Sequence, residues 1–179
     1  MILVVAATED ELRGADGAAT LVCGVGPVEA AARTAAMLAE SPPHVVLHIG
    51  IAGASTFSEP ELVVGSEARY CDADDPRWIP LSIPADPALL AAAQNVFPAA
   101  RVVPIGTSAR VGGTTGCDVE AMEGYAVLRA ASLAGIPAVE IRATANAIGE
   151  PDRSQWRFEE AKALMAESIP LLLREVVGA

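Results

Sequence analysis

Three polar residues interrupt stretches that are otherwise apolar. They are Glu11 in "TEDEL", Glu123 in "DVEAMEGYAV" and Asn146 at the end of "AVEIRATAN". Two are carboxylates, able to accept hydrogen bonds and protons; the third is an amide, able to donate and to accept. Each has a plain structural explanation. Glu11 follows Thr8 at the T-x-x-E spacing of a helix capping box. Glu123 could sit in a buried ion pair with Arg142 or Arg69, because a carboxylate among apolar neighbours is costly unless paired. Asn146 could be a turn residue closing a strand. The residues alone leave these alternatives open.

The elements that must position these residues follow from hydrophobic patterning. "MILVVAA", "ATLVCGV" (19–25), "HVVLHIGIAGA" (44–54), "ELVVGSEARYCD" (61–72), "ARVVPIGT" (100–107) and "IPAVEIRATANAIG" (136–149) read as strands, with Gly65 a candidate bulge. Residues 26–40, 87–96 and 154–177 read as helices. Pro27 falls in a first turn, where a missing N–H does no harm, and Pro170 is expected to kink or divide the last helix. Val119, Met122, Ala126, Val127, Ala130, Leu133 and Ala134 recur at helical spacing, which predicts a helix from Asp118 with Glu123 inside its apolar stripe. Residues 72–87 read as a surface excursion, and "SARVGGTTGC" reads as a loop. The expected fold is a single α/β domain over 1–179: a three-layer sandwich whose mixed, mostly parallel central sheet is flanked by helices. Ligands of such sheets collect at the carboxyl ends of strands, here 6–11, 50–54 and 143–146.

Composition narrows the class. Apolar residues make up 52% of the chain and aromatics only 4%, which suits Val/Ile-rich buried strands with Ala/Leu-rich helices. A net charge of −11 argues against nucleic acid or an anionic membrane surface as a partner. The three cysteines, Cys23, Cys71 and Cys117, form no ligand motif and no even disulfide set. No run of about 18 apolar residues suggests a membrane span, no leader is recognised, and the expected location is cytoplasmic. The glycine turns "CGVGP" and "GIAGAS" match neither dinucleotide nor P-loop patterns, so no cofactor is expected. His44 and His48 share a strand face without a third ligand nearby, so no metal is expected.

Taken in order, "ILVVAATEDEL", "CGVGPVEAAART", "GIAGA", "VEAMEG" and "IPAVEIRATANAIGE" resemble the nucleoside phosphorylase/nucleosidase superfamily. Met122–Glu123 and Asn146 keep the spacing of that family's ribose-binding and base-binding segments. "DVEAMEG", "EIRATAN" and "IGEPDRSQW" are most similar to the futalosine hydrolases, which release hypoxanthine from futalosine on an alternative route to menaquinone. The resemblance implies that Glu11 and Asn146 are catalytic, Glu11 activating water and Asn146 donating a hydrogen bond to the departing purine. It implies that Glu123 holds the ribose hydroxyls, that Met122 packs on the sugar, and that Ala52, Gly53 and Ala145 face the ligand.

The related methylthioadenosine/adenosylhomocysteine nucleosidases usually carry Asp where this chain has Asn146, and remain the alternative reading. Phosphorolysis is a second, disfavoured because "LHIGIAGA" has His48 and Ile49 where phosphorylases place an arginine, although Arg13 and Arg69 are unassigned. A nucleoside-binding protein without turnover is the non-enzyme alternative. Relative to the family, segments 12–23 and 106–117 are short, and a homo-oligomer, most simply a dimer, is expected to complete the pocket.

Overall fold

The computed structural model describes residues 1–112 and 116–178; residues 113–115 of the expected loop lie outside the described residues. The strands are β1 (Ile2–Ala6), β2 (Ala19–Val22), β3 (Val45–Ala54), β4 (Leu62–Tyr70), β5 (Ser82–Pro84), β6 (Arg101–Thr107), β7 (Val119–Ala121) and β8 (Ala138–Ala147). The helices are α1 (Pro27–Glu40), α2 (Pro87–Val96), α3 (Gly124–Leu133) and α4 (Phe158–Gly178), with 3₁₀ turns at Asp10–Leu12 and Arg153–Gln155.

The sheet runs β2-β1-β3-β7-β6-β4-β5, and β8 pairs with both β3 and β4. It is mixed and mostly parallel, as expected, but β3, β7, β6, β4 and β8 close into a ring. Length makes this possible. One edge of β3 pairs with β1 over Val45–His48 and with β7 over Gly53–Ala54, leaving the other edge for β8. β4 likewise divides one edge between β8 (Leu62–Val64) and β5 (Glu67–Arg69). Register shifts at Ala52/Gly53 and between Gly65 and Ala68 bend the long strands toward closure, the latter at the expected bulge.

Alternation along the strands sorts the core onto two faces. Val4, Leu47, Ile49 and Ile141 pack under α2 and α4, while Leu3, Val5 and Val46 pack under α1 and α3. Ala52, Val63, Ile105, Val119 and Ala121 form a separate small core with the ring strands.

Two expectations are corrected. Val119–Ala121 is a strand, and the helix begins only at Gly124, so Glu123 sits at the strand-to-helix junction as the residue preceding the first turn. The stripe that suggested one long helix combined a three-residue strand with the helix behind it. The excursion 72–87 contains β5, which pairs antiparallel with β4. Pro170 lies within α4 without dividing it. It cannot donate to the carbonyl of Ala166, and Gly14, at φ +86°, lies so close to that carbonyl that a Cβ there would collide with it.

Candidate active site

Glu11 lies in the 3₁₀ turn after β1 and is only 7% exposed. Its Oε2 accepts from the Thr8 N–H (3.0 Å) and the Thr8 hydroxyl (2.8 Å), and its Oε1 accepts from the Ile51 N–H on β3 (3.0 Å). The T-x-x-E pair therefore forms, but the Thr8 hydroxyl donates to the carboxylate instead of capping a helix. Three donors fix both oxygens at the carboxyl end of the sheet.

Glu123 is held from two sides. Its Oε1 accepts from the Gly26 N–H at 3.0 Å, the free donor just ahead of α1, and its Oε2 lies 3.5 Å from Arg142 Nη2. The ion pair with Arg142 anticipated from sequence is present, whereas Arg69 pairs with Glu67 at the surface. Asn146 is the penultimate residue of β8, opposite Gly53, and its Nδ2 donates to the Ala147 carbonyl at 2.8 Å. An amide nitrogen has two hydrogens, so one is left over for another acceptor.

These residues share one cavity of about 770 Å³, lined by Thr8, Glu11, Ala52, Gly53, Met122, Glu123 and Asn146 among others. Ala145 is different. It has no partner in β3, being the extra residue of the bulge, and its side chain is fully buried in the core under α4. Among the described residues it does not line the cavity.

Several lining residues were not singled out from sequence. Trp156 and Phe158 form an edge-to-face pair (centroids 5.2 Å apart) at the start of α4, and Arg153 stacks over Trp156 at 5.5 Å. Val25 and Ile51 add apolar wall. The aromatic pair in "SQWRF" just ahead of an amphipathic helix was the available signal. Lys162 also lines the cavity but is paired with Asp10 (3.3 Å) and Glu159.

Behind the cavity lies a buried polar network. Arg142, 1% exposed, donates from Nε to Glu140 Oε1 (2.8 Å) and from Nη1 to the Ile51 carbonyl (3.3 Å), with Nη2 at 2.5 Å from His48 Nε2. The other ring nitrogen of His48 meets the Val5 carbonyl at 3.1 Å. A carbonyl only accepts, so Nδ1 carries the hydrogen and Nε2 is the lone pair facing Arg142. Burial, then the Arg142 charge, holds His48 well below the ordinary histidine range, consistent with a neutral ring. Burial pushes the Glu140 carboxyl up, with Arg142 opposing it. Burial alone would lower Arg142, but Glu140, Glu123 and Glu11 together outweigh it and hold its pKa above the ordinary value. Space here is tight. A Cβ on Gly50 would strike Arg142 Nη1 and Glu11 Oε1, and one on Gly124 would strike both Glu140 oxygens.

Residues 14–178 match the model of the phosphorylase superfamily. The chain belongs to that superfamily. Within it, the chain is 33% identical to a futalosine hydrolase of Streptomyces coelicolor over an alignment covering 86% of this chain and 77% of the relative. Among solved structures, it is similar in fold to an S-adenosylhomocysteine nucleosidase from Streptococcus pyogenes (TM-score 0.86, 21% identity, covering 98% of this chain and 96% of that one). It is similar too to a futalosine hydrolase mutant from Helicobacter pylori (TM-score 0.81, 17% identity, covering 99% and 98%).

Proposed function

We propose that the protein is a purine nucleosidase that hydrolyses the N-glycosidic bond of futalosine, releasing hypoxanthine and dehypoxanthine futalosine on a route to menaquinone. The observation that carries this reading is the convergence of Glu11, Met122, Glu123 and Asn146 on one cavity, in a chain one-third identical to a futalosine hydrolase.

The geometry suits the chemistry. The C1′–N9 bond breaks toward the purine, leaving an oxocarbenium-like sugar that needs only a weak nucleophile. Glu123 accepts hydrogen bonds from the ribose hydroxyls and places negative charge beside the developing cation. Glu11, its carboxylate fixed by three donors, orients a water and takes its proton as the oxygen bonds to C1′. Asn146 donates through its remaining amide hydrogen to the departing 6-oxopurine, which delocalises the leaving electron pair and departs as an anion. It then takes up a proton from solvent to give hypoxanthine, and Glu11 returns to solvent the proton it took from water. Trp156 and Phe158 supply apolar wall. No cofactor enters these steps.

Water is favoured over phosphate. Glu9, Asp10, Glu11, Glu120, Glu123 and Glu159 line the cavity against two cations, Arg153 and Lys162. Arg142 is turned inward, Arg69 is engaged by Glu67 away from the cavity, and Arg13 does not line the cavity and is neutralised by Asp10 at its rim. The adenosine-type nucleosidase reading draws on the fold neighbours, and Asn146 speaks against it. We place the reaction in the cytoplasm, carried by a single domain in a homodimer.

A base-release assay tests the reading. Futalosine, inosine, methylthioadenosine and adenosylhomocysteine are each incubated with purified protein, with and without phosphate. Hypoxanthine from futalosine, independent of phosphate, is the expected result. Adenine release, dependence on phosphate, or no release from any substrate would overturn it.

A further inference from the structure

Glu140 and His48 take no part in the steps above, yet both are fully buried and both touch Arg142. A charged group in the core is costly unless partners pair and hydrogen-bond it. The guanidinium is a rigid plane with donors on three sides. Glu140 holds its Nε corner at 2.8 Å, His48 holds Nη2, and the Ile51 carbonyl holds Nη1. The remaining contact, to Glu123, is long at 3.5 Å, and among the described residues Arg142 makes no hydrogen bond to Glu11, whose Oε1 accepts from the Ile51 N–H. Arg142 thus faces the cavity carboxylates without closing on either. Gly124 and Gly50 leave only enough room for this arrangement.

We propose that Glu140, with His48, is a positioning residue that holds the Arg142 guanidinium back from Glu123. The Glu123 lone pairs then stay available to the sugar hydroxyls. The inference rests on the reading of Glu123 as the ribose acceptor. Without the rear contacts, Arg142 moves forward into a close ion pair with Glu123, and substrate must displace it.

The test compares Glu140→Ala, Glu140→Gln and His48→Ala with the wild type by crystallography and by steady-state kinetics on futalosine. In Glu140→Ala and in His48→Ala, the Arg142–Glu123 separation is expected to shorten to below about 3 Å, the range of a charge-assisted hydrogen bond. KM is expected to rise about tenfold, the size of one such bond to the ribose. Glu140→Gln keeps an oxygen acceptor for Nε, and is expected to keep the separation and to hold KM within about threefold of the wild type. A purely structural role would lower yield and melting temperature without moving KM or this distance. His48→Ala leaves no charged group unpaired and serves if Glu140→Ala does not fold. An unchanged Arg142–Glu123 separation in the folded variants would overturn the proposal, as would a Glu140→Gln as impaired as Glu140→Ala. If the wild type releases no purine, the functional reading fails, while the crystallographic distance still decides the positioning role.

Discussion

Gly124→Ala offers a test of sign. Gly124 is the first residue of α3 and has no positive φ, so alanine is conformationally permitted. Helix propensity alone says the change stabilises by roughly 0.5–1 kcal/mol. The structure says the opposite, because the new Cβ would overlap both carboxylate oxygens and the carboxyl carbon of Glu140. That carboxylate cannot swing aside freely, being bonded to Arg142 Nε at 2.8 Å in a fully buried site. Forcing one methyl into a packed core costs about 1–3 kcal/mol, and stretching the ion pair adds to it. After the propensity gain is subtracted, the net is a loss of about 2 kcal/mol, or a melting temperature lower by about 4–8 °C for a domain of this size. Urea denaturation of wild type, Gly124→Ala, Glu140→Ala and the double variant measures it. The cost of the methyl should largely vanish when Glu140 is already gone, giving a coupling of about 1 kcal/mol or more. A midpoint for Gly124→Ala equal to or above the wild type would refute the steric reasoning.

Three further outcomes are expected. Glu11→Gln keeps the size of the side chain but loses the base, and kcat for base release should fall about 10²–10⁴-fold; because both oxygens accept from backbone N–H groups, the amide also strands a donor and should cost about 1–3 kcal/mol of stability. Arg142→Met strands Glu140 and should cost about 3–5 kcal/mol. Because burial raises the Glu140 pKa, its proton is taken up readily without the cation, so the deficit should shrink as pH falls from 8 to 5 in parallel denaturation curves. Burial, and next the Glu123 charge, push the Cys23 thiol up from 9.0 to about 12. The unfolded chain therefore releases this proton above about pH 9 while the folded protein keeps it, and stability should decline between pH 9 and 12 by up to about 4 kcal/mol. Cys23→Ala should flatten that slope, which denaturation at pH 8, 10 and 11 would reveal.

Much of the element order could be read from periodicity because β1, β3, β4, β6 and β8 are long or strongly apolar and are bounded by glycine, proline or acidic residues. β7 could not, since three residues carry no alternation and their apolar positions continue the spacing of α3. β5 was hidden among prolines because its pairing partner, β4, is what makes it a strand. Ring closure depends on β8 reaching β4, a choice that no local pattern encodes. At the site, Glu11, Glu123 and Asn146 stood out as polar breaks in apolar runs. Arg142 was legible only as one possible partner of Glu123 and His48 only as a structural histidine, and Glu140 was not singled out, because Glu140 and Arg142, two apart on a strand, look like a solvated face until the sheet is covered on both sides. Ala145 was expected beside the ligand, but the bulge turns its side chain into the core.

The ring also divides the pairings into local and non-local ones. β1, β2, α1 and the first half of β3 can pair as soon as they are made, through Ile2↔Val45 and its neighbours. The second half of β3 has no strand partner until β7 and β8 are available, whereas β4 can pair with β5 and β6 and lacks only its β8 partner. Such non-local pairings are slow to form, because loop closure precedes the contacts that compensate for it. The N–H of Gly26 and the carbonyl of Ile51 meet partners that come much later in the chain, Glu123 and Arg142. Until β8 docks, the edges of β3 and β4 remain open templates for other strands. A chain ending before residue 147 would hold Glu11 yet lack the far wall of its cavity, so the last strand in the chain is also one that completes the site.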